Sequence, residues 1–240
     1  IFHYVGHNWM RPFVKGVQPN YRDMHPMQHV WMEGEGTPKD GVLVFFAGEE
    51  AGTLDPGLSH DMRGLKTAMA LFEGLVQYDP NDASPIPAVA RTWDVSPDGR
   101  TYTFHLRDAK WSNGDAVTSE DFVWSWRRVI EPATASQYKD LMYYVKNGRA
   151  IAAKTMPKEE LGIRAPDAKT VVVELERPTP YFLSVLCLNV FYPVPRAAVE
   201  KYGKDWTRVE NIVSNGPFKI AAWRINDRQV FEANAAYRAA

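Results

Sequence analysis

Residues 93–106 read WDVSPDGRTYTFHL, which is two short runs of alternating polarity on either side of an Asp-Gly pair. Alternation of apolar and polar residues is the period of a β-strand, and Asp-Gly between two such runs is a strong hairpin signal. Tyr102, Phe104 and Leu106 fall on one face and leave His105 on the other. The stretch therefore predicts an antiparallel hairpin with one buried face and a solvated histidine on the opposite one.

A helix is predicted downstream of this hairpin. Residues 118–121 read TSED, which places an N-cap threonine three residues before an acid, and apolar residues then recur at helical spacing over 122–130 until Pro132 ends the pattern. Arg127 and Arg128 lie near the predicted C-terminus, where the helix dipole favours cations. We therefore expect an amphipathic helix whose arginines need no anionic ligand.

The rest of the chain mixes helical and strand patterns. Residues 1–40 contain repeated prolines and no sustained period, which indicates an irregular, extended leader. We also predict a buried strand over 42–46, a helix over 62–76, strands over 162–165 and 170–175, a helix over 181–188, an edge or linker segment over 191–195, and a hairpin from 218–223 and 228–233.

Composition excludes several classes of protein. The chain has 240 residues, of which 45% are hydrophobic and 24% charged, as in ordinary globular proteins. Its 28 basic and 29 acidic residues give a net charge of -1, which provides no electrostatic footprint for nucleic acid. The single cysteine, Cys187, lies in an apolar run and is expected to be a buried hydrophobe.

The motifs of enzymes and metal sites are not found in the sequence. It contains no G-x-S-x-G, no H-E-x-x-H, no phosphate-binding loop and no G-x-G-x-x-G. His25 and His29 have a spacing that suits a helical metal site, but Pro26 between them disfavours that helix. We therefore expect no catalytic residue, no metal site and no cofactor.

Ordered motifs make the chain resemble a known family. It is similar to the extracytoplasmic oligopeptide- and dipeptide-binding proteins of ABC importers, which are solute-binding proteins of family 5. The resemblance runs from about Val42 to Tyr237 and leaves the leader outside it. The motifs that carry it are LFEGL at 71–75, WDVSPDGRTYTFHLR at 93–107, WSNG at 111–114, VTSEDFVWSW at 117–126 and SNGPF at 214–218.

The resemblance implies a mixed α/β fold of the periplasmic-binding-protein type, in which two lobes close on the ligand like a clamshell. It implies that residues 41–72 and 213–240 are parts of lobe I, and that 73–212 form an inserted β-rich subdomain. We expect the second lobe to follow Ala240. The family's aspartate anchor for the peptide amino terminus lies in that lobe, so we expect these 240 residues alone to bind peptide weakly or not at all.

The implied function is that of a receptor without catalytic activity. It captures oligopeptides outside the cytoplasmic membrane and delivers them to the permease subunits of an ABC transporter. The protein is then expected to be a monomer, located in the periplasm or otherwise outside the cytoplasm, and either free or tethered by an anchor outside this chain. Two alternatives stay open, namely a receptor for another solute such as a nickel chelate or a sugar, and a truncated protein-interaction module without ligand capture.

The resemblance also implies candidate ligand-binding residues. In the family, the segment after Leu-Asp-Pro, which is 54–56 here, lines the cleft and offers main-chain partners to the ligand. The matching residues are His60, Asp61 and Met62. Relatives carry an acid where His60 stands, so Asp61 is the candidate substitute for that charge. Tyr138 matches a cleft tyrosine that touches ligand, although a surface aromatic after the Pro132 turn is the alternative interpretation.

Overall fold

The computed structural model of the protein describes residues 10–18, 20, 25–44 and 51–237, and their fold is mixed α/β, as predicted. The strands are β1 (Val14–Lys15), β2 (Trp31–Met32), β3 (Val76–Tyr78), β4 (Pro85–Pro87), β5 (Ala90–Val95), β6 (Thr101–Leu106), β7 (Ile163–Asp167), β8 (Thr170–Glu174), β9 (Phe218–Arg224) and β10 (Arg228–Ala233). The α-helices are α1 (Met62–Leu71), α2 (Ser119–Ile130), α3 (Gly148–Ala152), α4 (Phe182–Leu186) and α5 (Arg196–Tyr202). Short 3-10 helices cover Met27–His29, Pro132–Thr134, Lys139–Tyr144, Lys158–Glu160, Asn189–Phe191 and Gly203–Thr207.

The largest sheet is four-stranded and antiparallel, with the strand order β5-β6-β8-β7. The predicted hairpin is confirmed as β5 and β6, and Gly99 adopts the positive φ of +67° that its turn requires. Tyr102, Phe104 and Leu106 are buried on one face. His105 lies on the outer face, where its Nε2 is 2.7 Å from Asp94 Oδ2.

Helix α2 packs against this sheet and begins as the sequence predicts. The Thr118 amide donates to Asp121 Oδ2 at 2.8 Å, and the Thr118 hydroxyl donates to the same oxygen at 3.2 Å. Burial raises the pKa of Asp121, although these hydrogen bonds oppose the change. Trp126 is fully buried, and its indole N–H donates to the Phe191 carbonyl at 2.9 Å.

Two sequence predictions are wrong in part. The described portion of the predicted strand over 42–46 is irregular, and Val44 is 84% exposed; Phe45 and Phe46 lie outside the described residues. The predicted helix over 62–76 ends at Leu71, because the chain is extended at Phe72. The segment 191–195, predicted as an edge or a linker, is a linker, and its residues are buried. Burial of their side chains in the core outweighs the preference of proline for an exposed position.

Residues 214–217, which read SNGP, hold the end of α1 by backbone and amide hydrogen bonds. The Gly216 amide donates to the Leu71 carbonyl at 2.8 Å. The Asn215 side chain accepts from the Glu73 amide at 3.0 Å and donates to the Glu73 carbonyl at 2.9 Å, so it replaces a strand partner for that residue. The Leu71 carbonyl, which is freed where α1 stops, and the main chain of Glu73 thereby have hydrogen-bond partners.

One hydrophobic core joins these elements. It includes Leu54 and α1 residues from the early part of the chain, the sheet and α2 from the middle, and Ile220 near the end. Phe72 and Trp206 meet edge to face with their ring centroids 6.1 Å apart. Cys187 is buried within this core, as predicted. Within the described residues, no helix is long and apolar enough to cross a membrane.

Candidate ligand-binding site

The candidate site centres on the loop of residues 55–61, which connects buried Leu54 to α1. The loop begins with Asp55, whose carboxylate is 2% exposed. Arg128 Nη1 donates to Asp55 Oδ1 at 3.2 Å and Arg128 Nη2 donates to Oδ2 at 2.5 Å, which is a bidentate ion pair. The Gly57 amide and the Trp206 indole N–H complete the shell of this carboxylate at 3.0 and 3.2 Å. The buried charge is therefore paired and hydrogen-bonded, as burial requires.

This arrangement corrects the prediction for Arg128. The sequence explains the arginine by the helix dipole alone, whereas its guanidinium reaches across to the loop. Arg127 behaves differently, because its Nη2 donates to the Glu159 carbonyl at 2.8 Å. Arg128 thus has an anionic partner within the chain, and the sequence prediction did not include it.

The carbonyl groups of the loop are held by side chains from the middle of the sequence. Asn189 Nδ2 donates to Pro56 O at 2.8 Å and to Ser59 O at 3.2 Å. Ser136 Oγ donates to Gly57 O at 2.6 Å, and the Tyr138 hydroxyl donates to His60 O at 3.0 Å. Arg128 and Trp206 bind the Asp55 carboxylate of the same loop. We refer to all five side chains together as the loop clamp, which consists of Arg128, Ser136, Tyr138, Asn189 and Trp206.

The acidic candidate, Asp61, caps helix α1. Its Oδ1 accepts from the Arg63 amide at 2.9 Å and from the Gly64 amide at 2.7 Å. Asp61 has the extended backbone of an N-cap residue, so the local sequence places a good cap directly before the helix. This carboxylate oxygen therefore satisfies helix amides.

His60 and Met62, on either side of this cap, have exposed side chains. The His60 Nδ1 lies 3.4 Å from the Leu58 carbonyl, and Met62 is 52% exposed at the first residue of α1. Tyr138 is 43% exposed even though its hydroxyl is hydrogen-bonded. The structure brings His60 and Tyr138 together across 78 residues of sequence, and contact of these residues with a ligand stays a prediction.

Sequence reasoning did not identify the other clamp residues. The one available signal was Asp55 itself, because an acid beside an apolar residue in Leu-Asp-Pro needs a cation when it is buried. The sequence could not select Arg128 among the 28 basic residues as that cation. Ser136, Asn189 and Trp206 carry no pattern that relates them to a loop more than 70 residues away.

Open grooves elsewhere on the surface do not involve the candidate residues. One groove has a volume of about 460 Å³, and its lining includes Glu131 and Lys158, which form an ion pair with each other. Another, of about 610 Å³, lies between the 108–114 turn and residues 235–237. Within the part of the chain that the structure describes, no group of three or more His, Cys, Asp or Glu side chains is placed to hold a metal ion.

Comparison with known proteins identifies the class to which this fold belongs. A family model described as "Bacterial extracellular solute-binding proteins, family 5 Middle" matches residues 84–240. The Escherichia coli periplasmic oligopeptide-binding protein OppA is 41% identical over 199 residues, which cover 82% of this chain and 36% of that protein. A probable deoxycholate-binding periplasmic protein of the same bacterium, YgiS, is 36% identical over 192 residues, with 79% of this chain and 36% of that protein covered.

A solved structure extends the comparison to three dimensions. The crystal structure of Haemophilus influenzae OppA in complex with RPPGFSPFR matches with a TM-score of 0.77 and 40% identity, covering 80% of this chain and 38% of that one. The fold is therefore that of the periplasmic solute-binding proteins. The chain belongs to family 5 of the bacterial extracellular solute-binding proteins, and it spans little more than a third of the length of the relatives it matches.

Proposed function

We propose that this chain is part of a receptor that captures oligopeptides outside the cytoplasmic membrane and delivers them to the permease of an ABC transporter. The observation that carries the proposal is the 40% identity and TM-score of 0.77 to an OppA structure that holds a peptide. Membership of a family of binding proteins supports a role without catalysis. Periplasmic relatives support a location outside the cytoplasm, either free or membrane-tethered.

The proposed division of the chain into lobe and subdomain is the one that the family resemblance implies. Residues 41–72 and 213–240 belong to lobe I, 73–212 form the inserted subdomain, and 1–40 are a leader. In this arrangement the loop of residues 55–61 faces the cleft. A receptor that tolerates many peptide sequences holds the backbone and leaves the side chains in roomy pockets. The proposed contacts are His60, whose side chain is exposed on that loop, and Met62, which is exposed at the first residue of α1.

Isothermal titration of the full-length gene product against a pool of tri- to pentapeptides tests this function. We expect saturable binding with a Kd in the micromolar range or tighter, and markedly weaker binding by the 240-residue chain alone. The His60→Ala/Met62→Ala double variant should weaken binding by about tenfold, equivalent to ~1.4 kcal/mol. Ile225→Ala is the matched control, because Ile225 is 75% exposed in the turn between β9 and β10.

A non-peptide solute is the second candidate, because the probable deoxycholate-binding relative matches over nearly the same share of the chain. Titration with deoxycholate beside the peptide pool separates the two ligands. Heat with deoxycholate and none with peptides would replace the peptide proposal with this one.

A further inference from the structure

We infer that Tyr138 acts in ligand binding as a positioning residue, and that the loop clamp as a whole holds the loop of residues 55–61 in its binding conformation before ligand arrives. The inference rests on the proposed function, because it concerns how that site achieves its affinity. It assigns to Tyr138 a role in addition to the direct ligand contact that the resemblance implies.

The first step is the state of the Tyr138 hydroxyl. A phenol has one proton to donate, and the Tyr138 hydroxyl donates it to the His60 carbonyl at 3.0 Å. If the hydroxyl turned toward a ligand, it would give up that bond and release the main chain at His60. Through this bond the phenol positions His60, whose ring remains exposed, while the phenol oxygen can still accept a hydrogen bond from a ligand.

The second step concerns the hydrogen-bond partners of the loop's carbonyl groups. Those of Pro56, Gly57, Ser59 and His60 accept hydrogen bonds from Asn189, Ser136 and Tyr138, so each of them is held in place by a side chain of the protein. The Asp55 carboxylate binds Arg128 and Trp206 in the same way. These groups fix the loop, and the exposed side chains on it are left for the ligand.

The third step is energetic. A loop that is ordered only when ligand binds subtracts its ordering cost from the affinity, whereas a preordered loop does not. Ser136 and Asn189 are 4% and 3% exposed, so the bonds they make are shielded from competing water. Weakening the clamp should therefore mobilise the loop in the free protein and lower the affinity together.

The test combines Tyr138→Phe and Ser136→Ala, which remove only hydroxyl groups, with Tyr102→Phe as the matched control. The Tyr102 hydroxyl also donates to a main-chain carbonyl, that of Thr179 at 3.4 Å, but on the sheet. Amide hydrogen exchange over residues 57–61 is measured in the ligand-free, full-length protein, and peptide affinity is measured by titration with the tri- to pentapeptide pool. We expect each clamp variant to exchange about fivefold faster or more in the loop and to bind about five- to thirtyfold more weakly.

Two results would overturn the inference while leaving the proposed function intact. One is weaker binding by Tyr138→Phe with unchanged loop exchange, which would show direct contact between the hydroxyl and the ligand. The other is faster loop exchange with unchanged affinity. If the wild-type protein gives no heat with the peptide pool, the proposed function fails and this inference fails with it. Tyr102→Phe should stay within about twofold of wild type in both measurements.

Discussion

At the scale of single residues, Asp55 shows how a buried charge can organise a loop. Desolvation offsets much of the attraction within a buried ion pair, so the pair with Arg128 contributes little net stability. Removing either partner is costly, because the other charge stays buried without compensation at about 3–5 kcal/mol. The exposed fractions of 2% for Asp55 and 16% for Arg128 place the pair in this regime. Its main effect is therefore on geometry, since the bidentate bond sets where the loop begins.

The buried phenol of Tyr192 should make the folded state less stable at high pH. Burial raises the pKa of Tyr192 well above the usual value of a tyrosine, with smaller effects from the ionisable groups of Cys187, Tyr78 and Glu73. Above about pH 10 the phenol ionises in the unfolded chain but stays neutral in the folded one. The folded state is then disfavoured, so stability should fall as pH rises beyond that point.

Tyr192→Phe should make this fall less steep. It should also cost about 1 kcal/mol at neutral pH, because the tyrosine hydroxyl donates to the Cys187 carbonyl at 3.1 Å. Urea unfolding at pH values from 7 to about 11 measures both effects. Tyr202→Phe is the control, since Tyr202 is exposed. An identical decline in wild type and Tyr192→Phe would contradict the prediction.

At the scale of elements, the junction between α1 and the 214–217 segment depends on a glycine. A Cβ at Gly216 would lie 2.5 Å from the Leu71 carbonyl carbon and 2.6 Å from the Phe72 amide nitrogen. These are backbone atoms, so they cannot turn aside as a side chain would. The close approach allows Gly216 to bond the Leu71 carbonyl and brings Asn215 to Glu73.

Gly216→Ala should therefore destabilise the fold by about 2 kcal/mol or more, through forced separation of the two segments. Gly52→Ala is the matched control, because its added Cβ would meet only Asp61 Oδ2, at 3.9 Å. Thermal unfolding of the two variants against wild type measures the difference. Equal melting temperatures for the glycine variants would show that the junction can open without cost.

At the scale of the whole molecule, the core crosses the proposed boundary between lobe I and the inserted subdomain. Leu54, Leu65 and Leu71 lie on the lobe I side of that boundary and belong to the same cluster as the residues of the sheet and α2. The Asp55–Arg128 pair and the contact of Phe72 with Trp206 also bring the early and middle parts of the chain together. The inserted segment therefore has no separate core of its own among the described residues.

We predict that residues 51–237 unfold in a single transition and that 73–212 alone are less stable by several kcal/mol. The fragment exposes the face that α1 covers and leaves Arg128 without Asp55, and lost burial of large apolar side chains costs about 2–5 kcal/mol each. Urea titration followed by circular dichroism and tryptophan fluorescence compares the two fragments. An equal midpoint for both fragments would instead make the insert an independent domain.

Sequence patterns predict the elements that depend on local interactions. The hairpin over 93–106, the capped start of α2 and the hairpin of β9 and β10 follow from turn chemistry, capping and period, and these predictions are confirmed. The sequence predicts that α1 extends to residue 76, whereas it ends at Leu71. Hydrogen bonds from residues 214–217, rather than the sequence of the helix itself, determine this end. Val42–Val44 look like a strand, but β-branched residues form a strand only where a partner pairs with them.

By itself, the sequence determined the mixed α/β class, the capped start of α2, the turns and the family resemblance, because each is encoded in residues adjacent in the chain or in a fixed order of motifs. It also pointed to His60, Asp61, Met62 and Tyr138. Only the tertiary structure decided which distant groups meet: the Tyr138 hydroxyl binds the His60 carbonyl, and Arg128 neutralises Asp55. The physical reason is that hydrogen bonds and ion pairs join groups close in space, and folding brings together groups that lie 70 or more residues apart.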